Sequence, residues 1–442
     1  MYAIDWTSLL TRTHRNCSAC AGCPHTAPRE TTKSRLLPSV SGTVWALGVT
    51  SLFTDISSEM VASVLPMYLV LQLGMQPLAF GVIDGLYQGA AALVRVAAGV
   101  IADRLRRYKE VAAFGYALSA LCRPALLAAG SAWMAIGAII AVDRIGKGIR
   151  TAPRDALISM RSPCRDLATA FGVHRALDAG GAMLGPLVAF LVLAAMPRRF
   201  DVLFAISFAV ALVGLGVILL CVRPTTARAR RVELAPEATA ANASRMREAL
   251  RAPRFRAMVM AGFVLGLPTM SDGFIFLSLQ NRLQVGVTAF PLFYVATSLF
   301  TALFSVPSGR LADRFGRTRV LLAGYGILAS IYLMLLSPVA SPALAVIPLA
   351  LLGAYYAATD GVLTAMAAAV LPQSVSGTGL SVLATATNVS RLAASMLFGL
   401  LWSSAGIITA TTIYFAGLAV AIGLATVLLA RARRADTTQL AA

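Results

Sequence analysis

Apolar runs of about twenty residues recur along this chain, near 43–73, 78–102, 109–130, 132–158, 167–194 and 200–222, then 256–280, 288–311, 319–337, 342–371, 376–402 and 405–430. Each is long enough to cross the roughly 30 Å hydrocarbon layer of a bilayer as a helix rising about 1.5 Å per residue. Lipid offers no hydrogen-bond partner, so a spanning segment must satisfy its backbone internally. The expected fold class is therefore all-α: a polytopic membrane protein with about twelve transmembrane helices in two six-helix bundles.

Only 13% of the 442 residues are charged, and 58% are hydrophobic. A soluble domain carries roughly 25% charged residues, so this chain has too few to cover a water-facing surface. The formal net charge is +19. In a soluble domain that value points to nucleic acid. Here the bases sit in short segments between apolar runs, as in loops held in the cytoplasm, and no nucleic-acid partner is expected. Arg29, Lys33 and Arg35 precede the first run; Arg104, Arg106, Arg107 and Lys109 follow the second; Arg310, Arg314, Arg317 and Arg319 follow the eighth. Arg431, Arg433 and Arg434 close the chain. The alternate loops are short and nearly uncharged, apart from Arg198, Arg199, Asp201 and Arg282. This asymmetry puts both termini in the cytoplasm. Residues 1–40 hold no continuous apolar core, so no cleavable signal peptide is expected.

The organisation read from this pattern is a disordered cytoplasmic tail (1–42), an N-terminal bundle (43–222), a cytoplasmic linker (223–255), a C-terminal bundle (256–430) and a short cytoplasmic tail (431–442). The linker is rich in Arg, Ala and Pro and reads as a solvated connector. The two halves echo each other. Gly99-Val-Ile-Ala-Asp103-Arg104 follows the second run and Gly309-Arg-Leu-Ala-Asp313-Arg314 the eighth. Asp55 and Asp272 are separated by the same interval as Asp143 and Asp360. Internal duplication is the mark of proteins that rock two similar bundles about a midplane site.

An ionisable residue at bilayer depth costs about 3 kcal/mol or more, so it needs a partner or a wet cavity. The first half carries many: Asp55 and Glu59 in the first run; Asp84 and Arg95 in the second; Asp143, Arg144, Lys147 and Arg150 in the fourth; His174, Arg175 and Asp178 in the fifth. The second half carries Asp272, Asp360 and Arg391. Asp55 lies about 18 Å into its helix, near the midplane. Asp55 and Glu59 share a face at i,i+4. Two readings stand for them: carboxyls that load and release a proton, or a structural ion pair with Arg144 or Arg175. Asp143 and Lys147 also stand at i,i+4, as do His174 and Asp178, which would form either a proton relay or a fixed bridge. Arg144 and Arg175 could meet an anionic substrate or merely neutralise nearby acids. Lys147, Arg150, Arg154 and Asp155 would form a cytoplasmic gate or snorkel to headgroups. Gly181 and Gly185 form a GxxxG pair suited to close helix approach. Pro66, Pro186, Pro268 and Pro307 favour bends.

At these residues the chain resembles the major facilitator superfamily, over roughly residues 43–430. The family's loop signature, Gly-x-x-x-Asp-Arg/Lys-x-Gly-Arg-Arg/Lys, is matched by Gly309, Asp313, Arg314, Gly316 and Arg317, with Thr318 last. The first copy keeps Gly99, Asp103, Arg104 and Arg107 but has Arg106 for the second glycine and Tyr108 for the last base. The resemblance implies that these gating loops latch the cytoplasm-closed state, Asp103 facing the start of span eleven and Asp313 the start of span five. The Gly185-Pro186 segment resembles part of the family's antiporter signature. The runs Phe53-Thr-Asp55-Ile-Ser-Ser-Glu59-Met60, Asp143 to Asp155 and Phe171 to Asp178 resemble a largely uncharacterised prokaryotic branch, which implies a bacterial inner membrane and brings no substrate with it.

Cys17, Cys20 and Cys23, flanked by His14 and His25, have ligand-like spacing but lack a fourth cysteine. The spans hold no metal-ligand or nucleophile–base constellation, so neither an enzyme nor a cofactor is expected. The expected function is a monomeric secondary transporter, a proton-coupled exporter of a small organic compound. Asp55, Glu59, His174 and Asp178 would handle protons. Asp143, Arg144, Lys147, Arg175, Asp272, Asp360 and Arg391 would line the substrate cavity. A proton-driven uptake symporter and a non-transporting membrane sensor are the alternatives.

Overall fold

The computed structural model describes residues 40–105, 107–162, 167–222, 252–283, 286–337, 346–371 and 376–441. The Cys17/Cys20/Cys23 cluster and the linker up to residue 251 lie outside the described residues. Among those described there are twelve α-helices and no strand. The first six are α1 (Gly42–Met67), α2 (Pro77–Leu105), α3 (Tyr108–Ala128), α4 (Trp133–Arg161), α5 (Leu167–Ala195) and α6 (Phe200–Cys221). After them come α7 (Pro253–Gly266), α8 (Asp272–Leu283), α9 (Pro291–Phe315), α10 (Arg317–Leu336), α11 (Val346–Ala368) and α12 (Ser376–Ala441).

These helices fall on the twelve apolar runs with two differences. The seventh run is not one helix but two, α7 and α8, broken at Leu267–Ser271. Pro268 sits in the break, where its ring and missing N–H disfavour a continuous helix. The Tyr332 hydroxyl binds both edges of the gap, donating to Pro268 O at 2.9 Å and accepting the Met270 N–H at 2.6 Å. The eleventh and twelfth runs are joined as α12, bent at Gly406, whose φ of 82° few other residues adopt. Pro66 does not end α1, which continues as a π-helical turn over Tyr68–Gln72.

Seven helices are long and apolar enough to cross a membrane on composition alone, one of them (Gly379–Ala432) long enough for two crossings. Helices α1 and α4 are not in that set. Each buries polar and charged groups against protein: Thr50, Ser51, Thr54, Asp55, Ser57 and Ser58 in α1, and Asp143, Arg144 and Arg150 in α4.

Small residues set how closely the helices approach. In the first bundle α1 packs on α5 and α6. A Cβ added to Gly181 would lie 2.6 Å from Leu52 O, and one on Gly185 2.8 Å from Ile56 O, so both glycines of the GxxxG pair face α1. In the second bundle α9 and α10 pack on α11, and α7 on α12. The halves meet where α2 packs on α12, α5 on α9 and α8 on α1. The α2–α12 seam is backbone on backbone: a Cβ on Gly81 would lie 2.6 Å from Ser395 O, and one on Gly399 2.5 Å from Pro77 O.

The end away from the basic loops is sealed by rings from both halves. Phe80 meets Phe274, and Phe274 meets Phe398, each at 4.8 Å between centroids, with Trp402 and Tyr414 around them. Ser395 Oγ donates to Asp84 Oδ2 at 2.5 Å across the same seam. The basic-loop end is open between the halves.

Candidate functional site

A cleft of about 470 Å³ enters from that end. Its first-half wall comes from α1 (Asp55), α4 (Lys147, Arg150, Arg154, Asp155) and α5 (His174, Arg175, Asp178); the facing wall is the neutral stretch Ser381 to Asn388 of α12. Helical periodicity explains the grouping. Lys147, Arg150 and Arg154 repeat at three and four residues and occupy one stripe of α4. His174, Arg175 and Asp178 occupy the matching stripe of α5.

The pairings inside this cleft differ from those that sequence spacing suggests. Asp55 does not pair with Arg144 or Arg175: its carboxylate meets Arg150 Nη2 at 3.5 Å, and it lines the same cleft as Asp178. Asp178 is held by Ser51 Oγ, which donates at 2.7 Å, and by Arg154 Nη1 at 3.7 Å, not by His174. His174 is 2% exposed, and neither ring nitrogen meets a hydrogen-bond partner among the described residues. An i,i+4 spacing makes a contact available on one helix; here tertiary partners on neighbouring helices take it. Arg154 also binds Asp155 at 3.0 Å and Ser51 at 3.2 Å. Arg150 is 3% exposed and stacks over the Tyr116 ring at 4.7 Å, so it is buried rather than snorkelling.

Asp143 and Arg144 stand apart from the cleft. Asp143 accepts from Arg123 Nη1 at 2.8 Å and from Arg144 Nη2 at 2.6 Å, in place of the Lys147 partner that spacing suggests. Arg123, on α3, also donates to Ser58 Oγ at 2.9 Å, and Arg144 lies 3.9 Å over the Tyr87 ring. This is a buried ion network. Arg123 was not singled out from the sequence; an arginine in the middle of the third apolar run was the available signal. Glu59 is half-buried where α1 meets Gly185 and makes no ion pair among the described residues.

In the second half, Asp272 accepts a hydrogen bond from the Tyr356 hydroxyl at 2.5 Å, and Asp360 pairs with Arg391 at 3.2 Å. None of these three charged residues lines the cleft described above. Gly316 carries φ 96° where α9 gives way to α10, so the second loop signature needs its glycine for backbone reasons. Asp313 pairs with Arg317 at 3.8 Å within that loop, and Arg317 also donates to Ala365 O at 3.0 Å. Among the described residues Asp313 makes no ion pair with α5, in keeping with an open basic-loop end. Gly309 and Arg314 are exposed on the last turns of α9. The side chains of Gly99, Asp103 and Arg104 lie outside the described residues. Arg107, which precedes α3, has φ −122°.

A family model described as Major Facilitator Superfamily matches residues 47–395 and 269–441. An uncharacterized MFS-type transporter of Methanocaldococcus jannaschii is 28% identical over 370 residues, covering 82% of this chain and 89% of that protein. An uncharacterized protein of Mycobacterium tuberculosis is 37% identical over 144 residues, covering 33% of this chain and 35% of its own. Among solved structures, a mutant of the peptide transporter POT superposes with a TM-score of 0.68 at 15% identity, covering 88% of this chain and 94% of that one. A nucleoside transporter superposes with a TM-score of 0.66 at 14% identity, covering 88% and 99%. At such identities these structures speak to the fold alone.

Proposed function

The chain belongs to the major facilitator superfamily and is a multi-pass membrane transporter rather than an enzyme; from that premise we propose that it exports a small organic compound in exchange for protons, by alternating access. The observation that carries the proton part is the Asp55–Asp178 pair. Two carboxyls that line one cleft disfavour each other's ionisation, so the pair holds a proton at one stage and gives it up at another. Arg150 on one side and Arg154 on the other supply the charge that makes release possible. Glu59 and His174 are the nearby groups through which a proton would pass onward.

On this reading the cleft faces the cytoplasm, both termini and the 223–255 linker are cytoplasmic, and the ring cluster around Phe274 is the outer gate. Opening it requires the α2–α12 seam to part and the loops carrying Asp103 and Asp313 to latch the other end, with Gly99, Arg104, Gly309, Arg314, Gly316 and Arg317 shaping them. Lys147 and Arg175 contact substrate first. Asp143 and Arg144 hold the first bundle together behind them, while Asp272, Asp360 and Arg391 meet the substrate from the second half after the bundles rock.

The test starts from a deletion strain compared with its complement for metabolite pools and drug resistance. The compound that differs is then offered to everted and right-side-out vesicles. An exporter accumulates it in everted vesicles when a proton gradient is imposed, and Asp55→Asn abolishes that accumulation. Accumulation only in right-side-out vesicles makes the protein an uptake symporter; no flux in either orientation makes it a sensor.

A further inference from the structure

We infer that the first-half wall of the cleft is a subsite for an oxyanion group, a carboxylate or a phosphate, carried by an organic substrate. The inference rests on the transporter reading above and names the chemical class that the transporter takes.

The donors on this wall exceed the acceptors. Lys147, Arg150, Arg154 and Arg175 face Asp55, Asp155 and Asp178. Each acid is already engaged: Asp55 by Arg150, Asp155 by Arg154, and Asp178 by Ser51 and Arg154. Donors remain. Arg150 Nη1 is buried and meets no hydrogen-bond partner among the described residues, although the side chain is only 3% exposed. Both nitrogens of the buried His174 are in the same position. Lys147 and Arg175 line the cleft, and neither makes an ion pair among the described residues.

A buried polar atom without a partner costs about 1–3 kcal/mol, more when charged, so a guest that satisfies it binds with that advantage. A guanidinium held in place has a planar fork suited to carboxylate and phosphate oxygens. Stacking on Tyr116 and the contact with Asp55 fix the Arg150 fork, leaving one nitrogen to offer. An ammonium guest would find every carboxylate on this wall occupied. The facing wall on α12, with Ser381, Thr385 and Asn388, is neutral and polar and suits the uncharged remainder of the molecule. The cleft volume of about 470 Å³ is in the range of small-molecule sites.

The experiment uses the purified full-length protein in lipid nanodiscs, heated with phenyl phosphate, benzoate or benzyltrimethylammonium, each compared with sodium chloride at equal ionic strength. Saturable stabilisation by the two anions and none by the cation is expected. Arg175→Gln, an exposed position, should weaken anion binding by about tenfold through loss of one charge-assisted contact. Arg150→Gln alone would strand Asp55 and could unfold the bundle, so D55N/R150Q, which removes both partners, is the second variant and should weaken binding at least as much. Stabilisation by benzyltrimethylammonium alone, or by none of the three, overturns the inference. So does anion binding unchanged in both variants. Any of these leaves the transporter reading standing, since vesicle flux is read without regard to substrate charge. Anion binding without vesicle flux would keep the subsite and sink the transport reading.

Discussion

The two halves have kept the same positions and filled them with different chemistry. In each half a carboxylate on the first span reaches the fourth: Asp55 meets Arg150 in the first, and Asp272 meets Tyr356 in the second. Asp143, on the fourth span, is locked by two buried guanidiniums, whereas its counterpart Asp360 holds one partner at an exposed site. The first half is thus tied by ion pairs. The second is tied by phenols, with Tyr332 bridging the α7–α8 break and Tyr414 donating to Ala394 O. A phenol needs only one or two neutral partners. A guanidinium in a dry bundle needs a full set of acceptors, and removing one exposes the rest. The difference teaches that the repeat transmitted geometry, while ionisable side chains were concentrated in one bundle against a more neutral partner.

The sharpest way to break this comparison is to remove the buried arginine. Arg123→Met leaves Asp143 short of a partner and Ser58 without its donor, and should cost about 3–5 kcal/mol, read from thermal or denaturant unfolding in detergent. If it costs less than 1 kcal/mol, the ion network is not what holds the first half. Gly81→Val drives a side chain into Ser395 O at the sealed seam. Overpacking of this kind costs about 1–3 kcal/mol, and here it should open the outer end, measured as increased labelling of a cysteine placed at Phe398. Tyr332→Phe leaves Pro268 O and the Met270 N–H without their partner and should cost about 1 kcal/mol, read from the same unfolding curves. The smallest effect is expected for Arg391→Met. Its pair with Asp360 is exposed, so a change within about 1 kcal/mol is expected. A loss equal to that of Arg123→Met would show the halves to be held alike.

Much of the frame was legible from local pattern. Twelve apolar runs give twelve crossings because each must hold about thirty ångströms of lipid unaided. The GxxxG pair in α5 marks a close approach because only a missing Cβ lets backbones meet. The second loop signature marks a turn because Gly316 occupies a left-handed conformation. Spacing along one helix was a poor guide to the site. The i,i+4 pairs Asp143–Lys147 and His174–Asp178 share faces, yet neither closes, because Arg123 and Arg154 arrive from outside those pairs with stronger contacts.

What the sequence determined alone is what lipid enforces on any chain: how many apolar runs must cross, roughly how long each is, and that ionisable groups must turn inward. Which acid meets which base was decided by the tertiary structure. Three helices, α1, α4 and α5, contribute to a single charge cluster, and a partner's distance across a bundle depends on packing angles and close approaches that no one-dimensional spacing contains. The meeting of Asp55 and Asp178 on one cleft is the plainest case: Gly181 and Gly185 let α5 lie directly against α1.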